Sequence, residues 1–125
     1  MNLLLDTHVL IWVLENNPTL SPEAREAIID GRNPVFVSAA SVWEIEIKKN
    51  LGRLECPDNL AEELARHRFT PLPISLEHAE KAGRLPPLHN DPFDRMLIAQ
   101  ALCDRLILVT RDRQIADYEV EILPA

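Results

Sequence analysis

The chain has 125 residues, 46% of them hydrophobic, with a net charge of −7 and an isoelectric point of about 5.0. This is enough apolar material for one domain with its own core, residues 1–125, and too much for a disordered chain; the acidic balance argues against broad, non-specific nucleic-acid binding. Two cysteines without metal-ligand spacing, Cys56 and Cys103, fit a reducing cytoplasm, and the apolar start of the chain is interrupted by Asp6 and His8, lacks a basic leader and is too short to span a membrane.

In chain order, residues 3–5 read as a short buried strand that passes directly into a helix over residues 7–14, broken by Pro18. Ser21-Pro22-Glu23 is a helix start: Ser as N-cap, Pro at the first position and an acid in the first turn, with the helix running to about Gly31. Residues 35–37 form a second buried strand. A helix beginning at Ser38 or Ser41 runs to Leu51 and stops at Gly52. Residues 59–68 are amphipathic and helical. A short strand lies within residues 69–74, and Pro71 and Pro73 place it at a sheet edge. Ser75 opens a helix that ends before Pro86-Pro87, and Asp91-Pro92-Phe93-Asp94 opens the next, which reaches about Asp104. Strands follow over residues 106–109 and 118–123. Alternating strands and helices predict an α/β fold: a mainly parallel sheet of about five strands, flanked by helices on both faces. The two most continuous apolar strands, residues 3–5 and 106–109, should be central.

Four acidic residues sit where a globular chain avoids a bare charge. Asp6 and Asp112 follow the carboxyl ends of the two central strands, the side of an open parallel sheet on which ligands bind. Asp94 heads the core stripe Leu97, Ile98, Ala101 and Leu102. Glu44 falls at the margin of an arc formed by Ala40, Trp43, Ile47 and Leu51. Each has an ordinary explanation. Asp6 can cap the first helix, Asp112 a short turn, Asp94 can be an acidic third residue behind an Asp91 cap, and Glu44 can pair with Lys48. Brought together, the four would repel one another unless a cation neutralised them, and the oxygen-rich set suits Mg²⁺ or Mn²⁺. Thr7 and Thr110 adjoin the strand-end carboxylates, and either hydroxyl can orient a carboxylate or a metal-bound water, or bond only to backbone. His8 and His89 have no partner at metal-ligand spacing. Lys48, Lys49 and Arg53, or Arg66 and Arg68, or Arg111 and Arg113 are candidates for a basic rim.

These residues resemble a known family. Leu4-Leu5-Asp6-Thr7-His8, Ser38 to Ser41 with Trp43-Glu44-Ile45, His89 with Asp91-Pro92-Phe93-Asp94-Arg95, and Val109-Thr110-Arg111-Asp112 are similar, in order and spacing, to the motifs of PIN-domain proteins. The resemblance is greatest to VapC-type toxins of bacterial toxin–antitoxin pairs. It implies a parallel sheet between helices, a Mg²⁺- or Mn²⁺-dependent endoribonuclease, a homodimer, and inhibition by a cognate antitoxin. Carried over residue by residue, it puts the metal and catalytic roles on Asp6, Glu44, Asp94 and Asp112, with Thr110 at the usual hydroxyl position.

The expected reaction is metal-assisted hydrolysis of an RNA phosphodiester, with basic residues holding the flanking phosphates and Arg95 a candidate among them. An antitoxin is expected to insert a basic side chain among the carboxylates and to dock in an apolar groove, for which Trp12 and the Trp43 region are candidates unless both tryptophans are core. Two other readings stand beside this one. A phosphatase or phosphotransferase would use Asp6 as nucleophile, but a second Asp commonly follows two residues later, where this chain has His8. A non-catalytic binding module would receive a partner's Arg in the acidic pocket.

Overall fold

The computed structural model describes residues 1–125. Its elements run β1 (Leu3–Leu5), α1 (Thr7–Leu14), α2 (Pro22–Ile29), β2 (Val35–Ser38), α3 (Ala39–Asn50), α4 (Leu60–Arg66), β3 (Thr70–Leu72), α5 (Leu76–Arg84), α6 (Pro92–Asp104), β4 (Ile107–Thr110), a 3₁₀ turn (Ile115–Asp117) and β5 (Ile122–Pro124). The starts that the sequence marks are used. The Ser21 hydroxyl accepts from the Ala24 N–H with Pro22 behind it, Ser75 closes a capping box with His78, and Gly52, at φ +70°, lies just beyond the end of α3.

All neighbouring strands are parallel, in the order β3-β2-β1-β4-β5. The Pro-containing strand β3 is at an edge, where its missing N–H costs no ladder bond. From β1 the chain moves outward through β2 to β3, then returns to the other side of β1 as β4. The order therefore reverses between β1 and β4, and an open α/β sheet has its ligand crevice beyond the carboxyl ends of the strands at such a point.

Alternation along the strands divides the core between the two faces. Leu3, Leu5, Val35, Val37 and Val109 pack with side chains of α1, α2 and α4 and with Ile45 of α3. Leu4 and Leu108 pack with Leu97, Ile98 and Ala101 of α6 and with Ile115 and Tyr118. Helices thus cover both faces. No helix is long and apolar enough to cross a membrane.

Two expectations need correction. The last strand is Ile122–Pro124, not residues 118–123. Residues 115–117 instead make the 3₁₀ turn, which buries Ile115 and brings Tyr118 inward. In α3 the buried face is Ala40, Ser41, Glu44 and Ile45. The arc with Trp43 and Leu51 faces outward, at 62% and 57% exposure. Both arcs carry apolar residues, and the sheet accepts the one with the smaller side chains, which lets α3 lie close to α1 and α6. Glu44 is therefore on the buried face and not at its margin.

Candidate functional site

The site is assembled at the reversal between β1 and β4. The Asp6 backbone N–H donates to Val109 O at 3.1 Å, which extends the β1–β4 ladder by one step and seats Asp6 beside Thr110. Asp6 does cap α1, its Oδ1 accepting from the Val9 N–H at 2.8 Å. Its other oxygen accepts from the Thr110 hydroxyl, and that same hydroxyl accepts from the Asp112 N–H at 3.1 Å. One threonine, 1% exposed, thus holds both strand-end acids. Asp112 caps its turn through Oδ1, which accepts from the Gln114 N–H at 2.9 Å.

The helix-borne acids arrive from α3 and α6, which pack against each other. The Asp91 carboxylate caps α6 by accepting from the N–H groups of Phe93 and Asp94, at 2.8 and 3.3 Å. Pro92 fills the first position. This sets Asp94 one turn ahead of the core stripe. Glu44, 7% exposed, accepts from Lys48 Nζ at 2.8 Å. The ordinary explanation of each acid is therefore correct, and the acids converge nonetheless.

Their electrostatics report that convergence. Burial raises the Asp6 carboxyl above its usual value. The Thr110 and Val9 hydrogen bonds oppose this, and the charge of Asp112 adds to it. Burial is also the main cause that lifts Asp94 from 3.8 to about 7; the charge of Asp91 adds to it, His89 opposes it, and Asp6 and Glu44 raise it further. The cluster is thus short of positive charge. Lys48 supplies one positive charge, paired with Glu44. His89, 9% exposed, places Nε2 at 2.9 Å from Asp112 Oδ2 and 3.1 Å from Asp94 Oδ2. The ligand-type atoms of these three residues all lie within 4.8 Å of one another. Hard carboxylate oxygens at this density fit a divalent cation better than any protein cation present.

Sequence reasoning placed the carboxylates and Thr110 here, and the geometry brings them together. It gave Arg95 the wrong task. Its guanidinium donates to the carbonyls of Ala82, Leu85 and Pro86 at 2.8–3.0 Å, and the Tyr118 hydroxyl lies 3.4 Å away. It ties the α5–α6 connection down. Thr7 points away from Asp6 and donates to the buried Ser41 hydroxyl at 3.1 Å, joining α1 to α3. His8 is exposed.

Two clefts flank the carboxylates. One is lined by Asp6, Asp112, His8, Trp12 and Arg111. In it the Arg111 guanidinium lies 4.6 Å from the Trp12 ring centroid. The other includes Glu44, Asp91, Lys48, Arg53 and Phe93. A third feature is an apolar groove of about 570 Å³ between α3, α4 and β3, with Trp43, Leu64, Phe69 and Leu72 among its walls. The Trp43 ring meets Phe93 edge-on, 5.4 Å between centroids, so the groove abuts the site. Trp43 is therefore not core, and Trp12 is partly exposed.

A family model for the PIN domain matches residues 3–121. Ribonuclease VapC16 of Mycobacterium tuberculosis is 39% identical over 64 residues, which is 50% of this chain and 45% of that protein. Over the match, the chain spans about half the length of that curated relative. Among solved structures, VapBC2 from Rickettsia felis bound to a promoter DNA fragment superposes with a TM-score of 0.73 at 14% identity, over 100% of this chain and 99% of that one. DNA-bound VapBC from Salmonella typhimurium gives 0.71 at 19% identity, over 99% and 98%. FitAcB from Neisseria gonorrhoeae gives 0.66 at 20%, over 97% and 96%. At these identities the structural likeness is one of fold.

Proposed function

The chain belongs to the PIN-domain family, and on that premise we propose that it is a metal-dependent endoribonuclease toxin neutralised by a cognate antitoxin, acting in the cytoplasm. The observation that carries this reading is the convergence of Asp6, Glu44, Asp94 and Asp112 at the β1–β4 reversal, where burial and the neighbouring acids lift Asp94 to about 7. The 39%-identical relative is a ribonuclease, and the neighbours in structure include toxin–antitoxin complexes.

The four carboxylates would hold Mg²⁺ or Mn²⁺. The chemistry such an ion supplies when bound is activation of a water and polarisation of the phosphoryl oxygens. The protein's own groups do the rest. The Thr110 hydroxyl fixes Oδ2 of Asp6 and accepts the Asp112 N–H. Asp91 presents Asp94 by capping α6. Lys48 and Arg53, at the rim beside Glu44, are the side chains for flanking phosphates on an otherwise acidic chain. Without a cation, the acid cluster repels RNA, so ion and substrate binding are coupled.

A covalent role for Asp6 fits less well. Enzymes of that kind commonly carry a second Asp two residues after the nucleophile, and here that position is the exposed His8. For the antitoxin, the groove beside Trp43 suits an amphipathic helix, from which an Arg would reach the acids past Phe93. A homodimer belongs to the same reading, and Ile74 and Leu76, 39% and 85% exposed, offer apolar surface for it.

Incubation of the purified chain with total cellular RNA tests the reading, with Mg²⁺ or with chelator. Discrete internal cuts that need the metal and vanish in Asp94→Asn are expected. Phosphate release from a phosphomonoester with RNA left intact would replace this reading with the phosphatase one.

A further inference from the structure

His89 lies against two of the carboxylates, and its spacing to Asp94 and Asp112 is that of a metal ligand. Its other contacts assign it a different task. The Asp91 backbone N–H points at Nδ1 and donates to it at 3.2 Å. A ring nitrogen that accepts a hydrogen bond carries no proton, so in the neutral imidazole the proton sits on Nε2. Nε2 is the atom 2.9 Å from Asp112 Oδ2 and 3.1 Å from Asp94 Oδ2. Its N–H therefore donates to Asp112, with Asp94 Oδ2 close to the same nitrogen, and Nε2 has no lone pair to give a cation.

The ring is held in that orientation from its backbone as well. The His89 N–H donates to the Tyr118 hydroxyl at 3.0 Å, and that hydroxyl donates to Pro86 O at 2.7 Å. Arg95 holds the carbonyls of Ala82, Leu85 and Pro86. The connection between α5 and α6 is thus fastened at both ends, and His89 enters the site as a fixed fork. To become a ligand it would have to lose the Asp91 bond and move its proton to Nδ1.

We propose that His89 is a positioning residue of the metal centre: its Nε2–H holds Asp112 by a hydrogen bond, keeps Asp94 Oδ2 beside the same nitrogen, and leaves the remaining carboxylate lone pairs for the cation. This rests on the metal-centre reading above. It links an acid borne by α6 to an acid borne by the β4 end, as Thr110 joins the Asp6 carboxylate to the Asp112 backbone N–H, while Glu44 is held separately by Lys48. Groups that orient metal-binding carboxylates commonly change metal affinity by about ten- to hundredfold when removed.

Two substitutions separate a donor from a structural filler. His89→Gln keeps an N–H near the position of Nε2, and His89→Leu keeps volume without a donor. Mn²⁺ affinity is measured by calorimetry on the wild-type chain and both variants, with folding checked by melting in chelator. Wild type should bind Mn²⁺, His89→Leu should bind about ten- to hundredfold more weakly, and His89→Gln should recover most of the loss. Equal affinity in all three proteins would overturn the proposal, as would a Gln variant no better than Leu. A wild-type chain that does not bind Mn²⁺ would instead remove the metal-centre reading itself. The tautomer supplies a second readout that needs no variant. Long-range ¹H–¹⁵N correlation on the wild-type protein should show His89 protonated at Nε2 both without metal and after Mg²⁺ loading. A shift of the proton to Nδ1 on loading would make His89 a ligand and refute its role as donor.

Discussion

Asp94→Asn should make the metal-free protein more stable while destroying its activity. Asp94 is lifted from 3.8 to about 7, mainly by burial and then by the charge of Asp91. Its folded value lies above its unfolded value, so the folded state binds the proton more tightly, and stability falls as pH rises from about 4 to about 7 and then levels off. At ~1.4 kcal/mol per pH unit the full effect is roughly 4 kcal/mol. The side chain is 21% exposed, and solvent screening reduces the realised cost to ~1–3 kcal/mol. Asn keeps the shape and removes the charge. At pH 8 in chelator the variant should therefore melt about 5–10 °C higher than wild type, and at pH 4 the two should coincide. Metal reverses the order: a cation at a hundredfold excess over its dissociation constant adds ~2.7 kcal/mol to wild type and much less to the variant. Thermal melts across pH 4–8, with and without Mg²⁺, together with RNA cleavage, measure all of this. A variant that is less stable than wild type at pH 8 without metal would refute the account of a destabilising buried charge at Asp94. One that cuts RNA at nearly the wild-type rate would reduce Asp94 to a helix-start residue.

Millimolar Mg²⁺ or Mn²⁺ should raise the wild-type melting temperature, and the rise should shrink in Asp6→Asn; an equal rise in both would put the metal elsewhere. Thr110→Val removes the hydroxyl that joins Asp6 to the Asp112 N–H, leaves both without that partner, and should cost about 1–3 kcal/mol in chemical denaturation along with at least tenfold in cleavage rate. Arg95→Ala should lower stability by ~2–4 kcal/mol through its lost carbonyl contacts, and the salt dependence of RNA binding should stay unchanged; a reduced salt slope would return Arg95 to phosphate binding. Trp43→Ala should cost ~1 kcal/mol or less in stability, since the ring is 62% exposed, yet weaken capture of the antitoxin at least tenfold by calorimetry. Unchanged antitoxin affinity would place the docking surface elsewhere.

The order and type of the elements are legible in the sequence, because they depend on local signals. Ser21-Pro22 and Asp91-Pro92 start helices through bonds to N–H groups only two or three residues away. The apolar runs of β1 and β4 mark strands buried on both faces, and Asp6, Thr110 and Asp112 follow from where those runs end. Tertiary structure decided whatever depends on which of two possible neighbours wins. The α3 sequence carries apolar residues on both arcs, so periodicity alone could not say whether Trp43 or Glu44 would face inward; packing against α1 and α6 chose the arc with Ala40 and Ser41. Tyr118 reads as a strand residue from its β propensity, but its burial under α6 and its bond to Pro86 O place it in the turn before β5. Arg95 beside Asp94 reads as a rim cation, and only the return of the α5–α6 connection over it supplies the carbonyls that occupy it. His89 and Asp112 are 23 residues apart, and no local pattern brings them within hydrogen-bonding distance. That contact exists because β4 lies beside β1, with α6 packed across the sheet so that its N-terminus meets the end of β4.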